Sequence, residues 1–421
     1  MAFGLKSMRR RHVLAGAMGA IGALDFRSPR AAATVSGSAA QARGRLCVLS
    51  HSSFRFPLAA SAATFPSVIV VVDLVGGGVQ LVPSSVVNLH DLVVTEAKSR
   101  IYALGHESPE KVELFNRDFT ERKELVFPGV TFRGHGIPYG EGVLLAAETS
   151  AHPAHGGFLL YLDDAGAELG RFASGGERPH EIVDVGSHFA VAHYGDVRRD
   201  VSAKPSFPRP HFQVENAGVS FITKQGMSVS EFVPLDNRGA ATHLAPAAEG
   251  TVFAMQMQDI QYRSIAGAPV GVGPQRAAAE RDGVVLLPIE EQWGNYEEPL
   301  PLTRLSHSGV QETYAGPSSG MRRAQSFARG RDGTVVATHA ASHSLWIHQD
   351  GHQRFVNTLA FGVSDPRGCA FIGDTSLVAV SGNEYNIAIW DTRHDKLVSL
   401  IGTPLGRHSH ARWQPTSAQA K

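Results

Sequence analysis

Short apolar runs rich in Val, Leu, Ile and Ala recur along this chain, among them "SVIVVVDLV", "VLLAAE", "GGFLLYLDD", "SLVAVS" and "NIAIWD", each bounded by Gly, Asp, Asn or Pro. Their length and their turn-forming flanks predict strands and hairpins rather than helices. The runs also keep a phase. His90 opens "HDLVV", His135 opens "HGIPYGEGVLLAAE" and His180 opens "HEIVDVGSHFAVAH", at steps of 45 and 45 residues. The same phase continues at His243, Ser326, Gly368 and His410, the last two steps being 42 and 42. Longer steps of 63 and 83 residues fall at His180 to His243 and at His243 to Ser326, where loop sequence is inserted. A period of about 40 to 50 residues made of short strands is the mark of a β-propeller blade. Seven phase points predict an all-β, seven-bladed propeller.

The ends of the chain predict how the ring closes. Residues 45–83 carry three strand-like runs without an inner partner, whereas "HARWQP" near the C-terminus reads as an inner strand without its blade. Pairing them completes the last blade and removes two free sheet edges. The expected organisation is a signal peptide at 1–33, a flexible linker at 34–44, one propeller at 45–414 and a disordered tail at 415–421. "NIAIWD" is similar to the strand and turn of WD-type blades, with Asp391 beginning the turn; Trp346 and Trp390 belong to apolar core stripes. The insertions at 195–216 and 259–282 each follow a second strand and are expected as loops over one mouth of the channel. The first carries Arg198, Arg199, Lys204, Arg209 and His211, a set suited to meeting an anion or to standing dispersed in solvent.

Composition changes the picture at the N-terminus. "KSMRRRHVLAGAMGAIGAL" joins a basic stretch to an apolar run too short to span a bilayer, the pattern of an export signal. Arg10 and Arg11 resemble the pair of a twin-arginine signal, and "RAAAT" offers cleavage after Ala33. Removing 1–33 takes six basic residues (Lys6, Arg9, Arg10, Arg11, Arg27, Arg30) and Asp25, leaving 33 basic against 38 acidic. Such a charge does not suit nucleic acid, which calls for a basic stripe. A soluble periplasmic monomer without a membrane anchor is expected. The two cysteines, Cys47 and Cys369, sit in strand-like runs without a Cys-x-x-Cys neighbour and are expected as buried thiols, a disulfide being chemically permitted outside the cytoplasm.

Candidate chemistry rests on the 20 histidines. His90, His135, His180, His243 and His410 share one position of the repeat. Thirteen residues after the opening position stand Glu148, His193, Gln256 and His339, counted from His135, His180, His243 and Ser326. The start of a first strand and the end of the second are expected to converge on the same mouth. The expected metal ligands are therefore His135, His180, His193, His243, His339 and Glu148. His90, Asp91, Glu181, Gln256 and His410 are expected to support them. Imidazole suits Zn, Cu, Fe and Ni, and iron or copper is the expected ion. The opposing expectation is that these histidines bond backbone between blades. His152 and His155 form a local pair in a turn.

The segments "RGHGIP", "LLAAETS", "GGERPHEIV", "THLAPAAEGTVFAMQMQ" and "HSHARW" resemble a family of twin-arginine-exported bacterial propellers of unassigned function, WD40-like and YncE-like in build. Its genes commonly accompany imelysin-type and di-haem peroxidase-like proteins linked to iron uptake. The resemblance implies roles for His135, Glu148, His180, Glu181, His243, Gln256 and one terminal histidine, and implies imelysin-type proteins as partners. His193, Tyr194 and Gly195 stand where the family has Asn-Gly-Gly, and His339 where it has a small residue.

Three function classes stay open on the sequence. One is a metal-binding protein of metal uptake or handling, another an interaction scaffold with structural histidines, and the third a metal-dependent oxidoreductase or hydrolase. No nucleophile elbow, phosphate loop or HExxH helix is present to favour the enzyme.

Overall fold

The computed structural model describes residues 44–50, 64–95, 100–150, 156–199, 212–237, 239–248, 250–257, 300–316, 320–406 and 408–415, with short strand segments at 24–26, 54–55, 279–281 and 284–286. The chain is an all-β propeller. Four of its sheets have four antiparallel strands in chain order; one runs Pro179–Asp184, His188–His193, Gly218–Thr223, Ser228–Pro234. Burial explains the order. Inner strands such as Gly142–Thr149 and Val335–His339 are covered almost throughout, as their unbroken apolar runs require, whereas the outermost Glu168–Ala173 is largely open to solvent.

The two ends of the chain meet in one sheet. His408–Pro415 lies innermost, pairs with Gly44–Ser50, and is followed outward by Ser67–Asp73 and Val79–Ser84. The backbone of Leu24–Phe26, within the expected signal peptide, adds a fifth strand on Val79–Leu81.

Six sheets of four or more strands make up the described ring, where the repeat predicts seven. The phase points at His90 and His135 fall in one six-stranded sheet. The cause is two long strands, Arg100–Asn116 and Arg122–Tyr139, of 17 and 18 residues, which pair from His106↔Arg133 to Phe115↔Arg122 and leave no edge between the two repeats. The Glu110 carboxylate accepts from Gly129 N (2.8 Å) and holds this junction together.

Among the described residues, seven buried apolar clusters form the core. One joins Leu46, Val48 and Val70 of the closing sheet to Ala379, Ile387 and Ile389 of the preceding one. Trp346 is wholly buried in another and donates to Gln353 Oε1 (2.9 Å). Asp391 accepts from Arg393 N (2.9 Å) and from Ser376 Oγ (2.9 Å), fixing the turn after Asn386–Asp391. Cys47 and Cys369 are free and buried, and burial pushes both thiols up to about 12. Among the described residues no helix is long and apolar enough to cross a membrane.

Candidate metal centre

The inner strands share a local irregularity, and it falls where the phase histidines stand. Leu89 pairs with Gly105 and Asp91 with Leu104, so His90 is an extra residue in its strand. His180 and Glu181 lie between the pairs Pro179↔His193 and Ile182↔Val191, and Thr242 and His243 between Ala241↔Gln256 and Leu244↔Ala254. Ser409 and His410 are skipped in the same way, as are Arg133, Gly134 and His135. A β-bulge bends its strand and re-aims the extra side chain. Here five bulges turn five imidazoles toward one another.

Four of them, His90, His135, His243 and His410, offer ring nitrogens that all lie within 4.8 Å of one another. His180 joins them, its ring centroid 4.6 Å from that of His135 and 5.0 Å from that of His243. Gly134 makes the approach possible. A Cβ there would stand 2.7 Å from His90 Cδ2 and 3.1 Å from His180 Cε1, and its φ of +110° is one that L side chains rarely adopt.

Three rings have their tautomer set. His135 Nδ1 donates to Asp91 Oδ2 (3.0 Å), His243 Nδ1 donates to Glu181 Oε2 (3.0 Å), and His180 Nδ1 donates to the Arg133 carbonyl (2.5 Å). With Nδ1 carrying the proton, each Nε2 keeps its lone pair. His135 Nε2 and His180 Nε2 are buried and have no hydrogen-bond partner. Carboxylate and carbonyl acceptors behind an imidazole are the usual supports of a metal-ligating histidine. His90 and His410 face each other Nε2 to Nε2 at 2.9 Å, and Ser326 Oγ stands 3.3 Å behind His410 Nδ1. Two nitrogens each about 2.05 Å from one ion at right angles are themselves about 2.9 Å apart.

Electrostatics favour neutral rings, the form a metal requires. Burial, then the neighbouring imidazoles, holds His90, His135 and His180 well below the ordinary histidine range. Burial raises the Asp91 carboxyl, against the pull of Arg412. The Arg412 Nε donates to Asp91 Oδ1 (2.5 Å), and Nη2 lies 3.8 Å from Glu181 Oε1, so one guanidinium serves both carboxylates. Each carboxylate follows one histidine in sequence yet serves the next: Asp91 follows His90 and holds His135, and Glu181 follows His180 and holds His243. In both cases the residue after the phase histidine reaches the histidine of the next repeat.

The second polar register goes elsewhere. His193 sits opposite Pro179, one position before the bulge, and its Nε2 lies 3.1 Å from the Ser174 carbonyl and 2.9 Å from Ser220 Oγ. Gln256 is paired with Ala241 and donates to the carbonyls of Asp236 (2.6 Å) and Gly239 (2.7 Å), anchoring a loop. His339 is paired with Ala324, fully buried, with neither ring nitrogen bonded. Glu148 pairs with Thr131 and lies 3.6 Å from Arg133 Nη1. The bulge breaks a count of thirteen, so the two registers do not form one ligand set, and His90 and His410 stand among the ring nitrogens rather than behind them. The backbones of Arg198 and Arg199 belong to a strand, Asp196–Arg199, paired with Phe212–Glu215. Lys204, Arg209, His211, Arg10, Arg11, His152 and His155 lie outside the described residues, as does most of each insertion.

Sequence reasoning passed over Arg412 and Arg133. Both stand two positions from a phase histidine, His410 and His135, on the same face of an ideal strand, and that spacing was the signal available. It also passed over Tyr194, whose ring lies 4.7 Å from His180, and His106, 5.2 Å from His90.

No family description and no curated protein sequence matches the chain. Among solved structures it is similar to a chain of the mitotic checkpoint complex, with a TM-score of 0.50 and 6% identity over 77% of this chain and 80% of that one. It is also similar to hydrazine synthase of Kuenenia stuttgartiensis (TM-score 0.48, 12% identity, 80% and 90% covered). The WD40 β-propeller domain of Doa1 aligns with a TM-score of 0.45 and 10% identity over 75% and 83%. At such identities the likeness concerns the fold alone.

Proposed function

We propose that this protein is an exported periplasmic propeller that holds one transition-metal ion, copper or iron, among its inner-strand histidines and serves metal uptake or handling. The observation that carries the reading is the set of four ring nitrogens within 4.8 Å of one another. Ligands opposite each other across one ion stand about 4.1 Å apart, so the set has nearly the size of a first coordination shell. Neutral nitrogen donors select late first-row ions over magnesium or calcium. Imelysin-type proteins are the proposed partners, on the strength of the family resemblance.

The test is elemental analysis of protein purified from the export compartment, followed by electron paramagnetic resonance after loading with Cu(II). About one ion per chain with nitrogen hyperfine structure is expected; a folded protein that takes up none would end the metal reading. Changing Arg10 and Arg11 to Lys should hold the precursor in the cytoplasm, and unimpaired export would point to the general secretory route.

A scaffold reading has its own support. His410 links Ser326 to His90, and so ties inner strands together without any ion.

The six-stranded sheet is proposed to act as two blades, which restores a count of seven. Tyr102, Leu104, Val112 and Leu114 share a buried cluster with Val143, Leu145, Phe158 and Leu160, and Tyr102 Oη donates to the Asp163 carbonyl (2.5 Å). Strands side by side in one flat sheet do not bring such residues together; two stacked sheet faces do.

A further inference from the structure

Beside the imidazoles lies a cation that none of the preceding chemistry uses. Arg133 is 3% exposed. Its Nη1 lies 3.3 Å from Glu107 Oε1 and 3.6 Å from Glu148 Oε1, whereas Nε and Nη2 have no hydrogen-bond partner. These two nitrogens form the side-on edge of a guanidinium, the one that takes both oxygens of a carboxylate at once. The same chain shows the filled form on its surface: Arg171 gives Nε to Glu168 Oε1 (2.8 Å) and Nη2 to Oε2 (3.0 Å).

The guanidinium carbon of Arg133 stands 5.3 Å from the centre of the Tyr194 ring, and that ring is 4.7 Å from His180, whose Nε2 is also unpartnered. Glu148, buried and with Oε2 unbonded, approaches Nη1 and leaves the Nε–Nη2 edge free. A buried guanidinium with three of its five N–H donors unmade is costly, because desolvated charge must be offset by hydrogen bonds. The five imidazoles, meanwhile, supply no negative charge to a bound cation. The nearby carboxylates Asp91 and Glu181 are already engaged by Arg412.

We infer that the Nε–Nη2 edge of Arg133 binds a carboxylate of a small polycarboxylate that arrives with the metal, another carboxylate of the same molecule turning toward the histidines. This rests on the metal reading proposed above, and makes the ligand a chelate of metal and organic acid rather than a bare ion. Tyr194 offers its ring face beneath the guanidinium and keeps that edge in place.

The experiment titrates citrate, malonate and inorganic phosphate into the full-length mature protein, copper-loaded and copper-free, by calorimetry. Arg133→Gln removes the edge; Arg133→Lys keeps a charge in the core and so preserves folding where Gln does not. Citrate binding to the copper-loaded wild type, weakened at least about tenfold in both variants while copper stoichiometry stays unchanged, is expected. Equal citrate affinity in wild type and Arg133→Lys, no citrate binding to the loaded wild type, or Arg133-dependent binding of phosphate alone would each overturn the inference. Should the wild type take up neither copper nor iron, the metal reading fails by itself. The carboxylate site then stands on Arg133-dependent citrate binding to the copper-free protein, and falls without it.

Discussion

His410 and His90 meet nitrogen to nitrogen at 2.9 Å, although 320 positions separate them in the chain. One sits on the C-terminal inner strand that closes the ring, the other at the first phase point. Ring closure and the candidate metal centre therefore share a part.

His410→Ala is expected to lower metal affinity and to abolish most of the rise in melting temperature that saturating metal gives the wild type. An ion that binds only the folded chain stabilises it by mass action, about 2.7 kcal/mol at a hundred times its dissociation constant. Thermal melts with and without Cu(II) check this. An equal rise in the variant and the wild type would remove His410 from the ligand set.

Asp91→Asn and Glu181→Gln keep size and lose the charge that holds His135 and His243 by Nδ1. Outer partners of this kind are commonly worth about 10- to 100-fold in metal affinity. Each single variant should fall in that range with its fold unchanged, as circular dichroism and competitive metal titration would read. Because Asp91 serves His135, Asp91→Asn should perturb the same spectroscopic ligand signature as His135→Ala. Matching His90→Ala instead would contradict the arrangement across neighbouring repeats.

Much of this was legible in the sequence. The 45-residue step from His90 to His135 and His180 places equivalent side chains on successive inner strands, and in a ring equivalent positions converge. The family of strands followed from their apolar runs. What a residue count cannot register is a bulge: the extra residue at His180 and Glu181 sets His193 opposite Pro179, and the positions reached by counting thirteen, Glu148, His193 and His339, are not among the four grouped ring nitrogens. The pairing of His106–Phe115 with Arg122–Arg133 was equally hidden, because it runs through register shifts at His106/Ser108 and Pro109/Lys111 that a residue count cannot register either.

Stability should fall as the solution is acidified, through histidines outside the cluster. Burial lowers His193 from 6.5 to about 4, His339 to about 3 and His408 to about 4. Below pH 6.5 the unfolded chain takes up protons at these rings, while the folded chain refuses them until about pH 4 and pH 3. Unfolding then binds protons, so the stabilisation is complete above about 6.5 and is lost on descent, at up to about 1.4 kcal/mol per pH unit for each histidine. His339→Leu removes one such ring, whose nitrogens are unbonded in any case. Denaturant melts between about pH 8 and pH 4 should show a slope shallower by about one proton; an unchanged slope would refute the burial-driven shift.

Gly134 offers the sharpest separation between a site and a fold that merely contains histidines. Gly134→Ala places a methyl 2.7 Å from His90 Cδ2 and 3.1 Å from His180 Cε1, on a backbone with φ +110°. A non-glycine residue in so sparse a region costs about 1–3 kcal/mol, so a drop of several degrees in melting temperature is expected from the backbone alone. Gly129, at φ +75° in the same strand, Arg122–Tyr139, has no atom within 4 Å of the point a Cβ would occupy, and so supplies the control. Gly129→Ala should carry a comparable backbone cost and leave metal binding intact. Gly134→Ala should lose metal as well, since His90 and His180 must move apart to admit the methyl. Equal metal content in the two variants would mean that the close approach of these rings does not hold the ion.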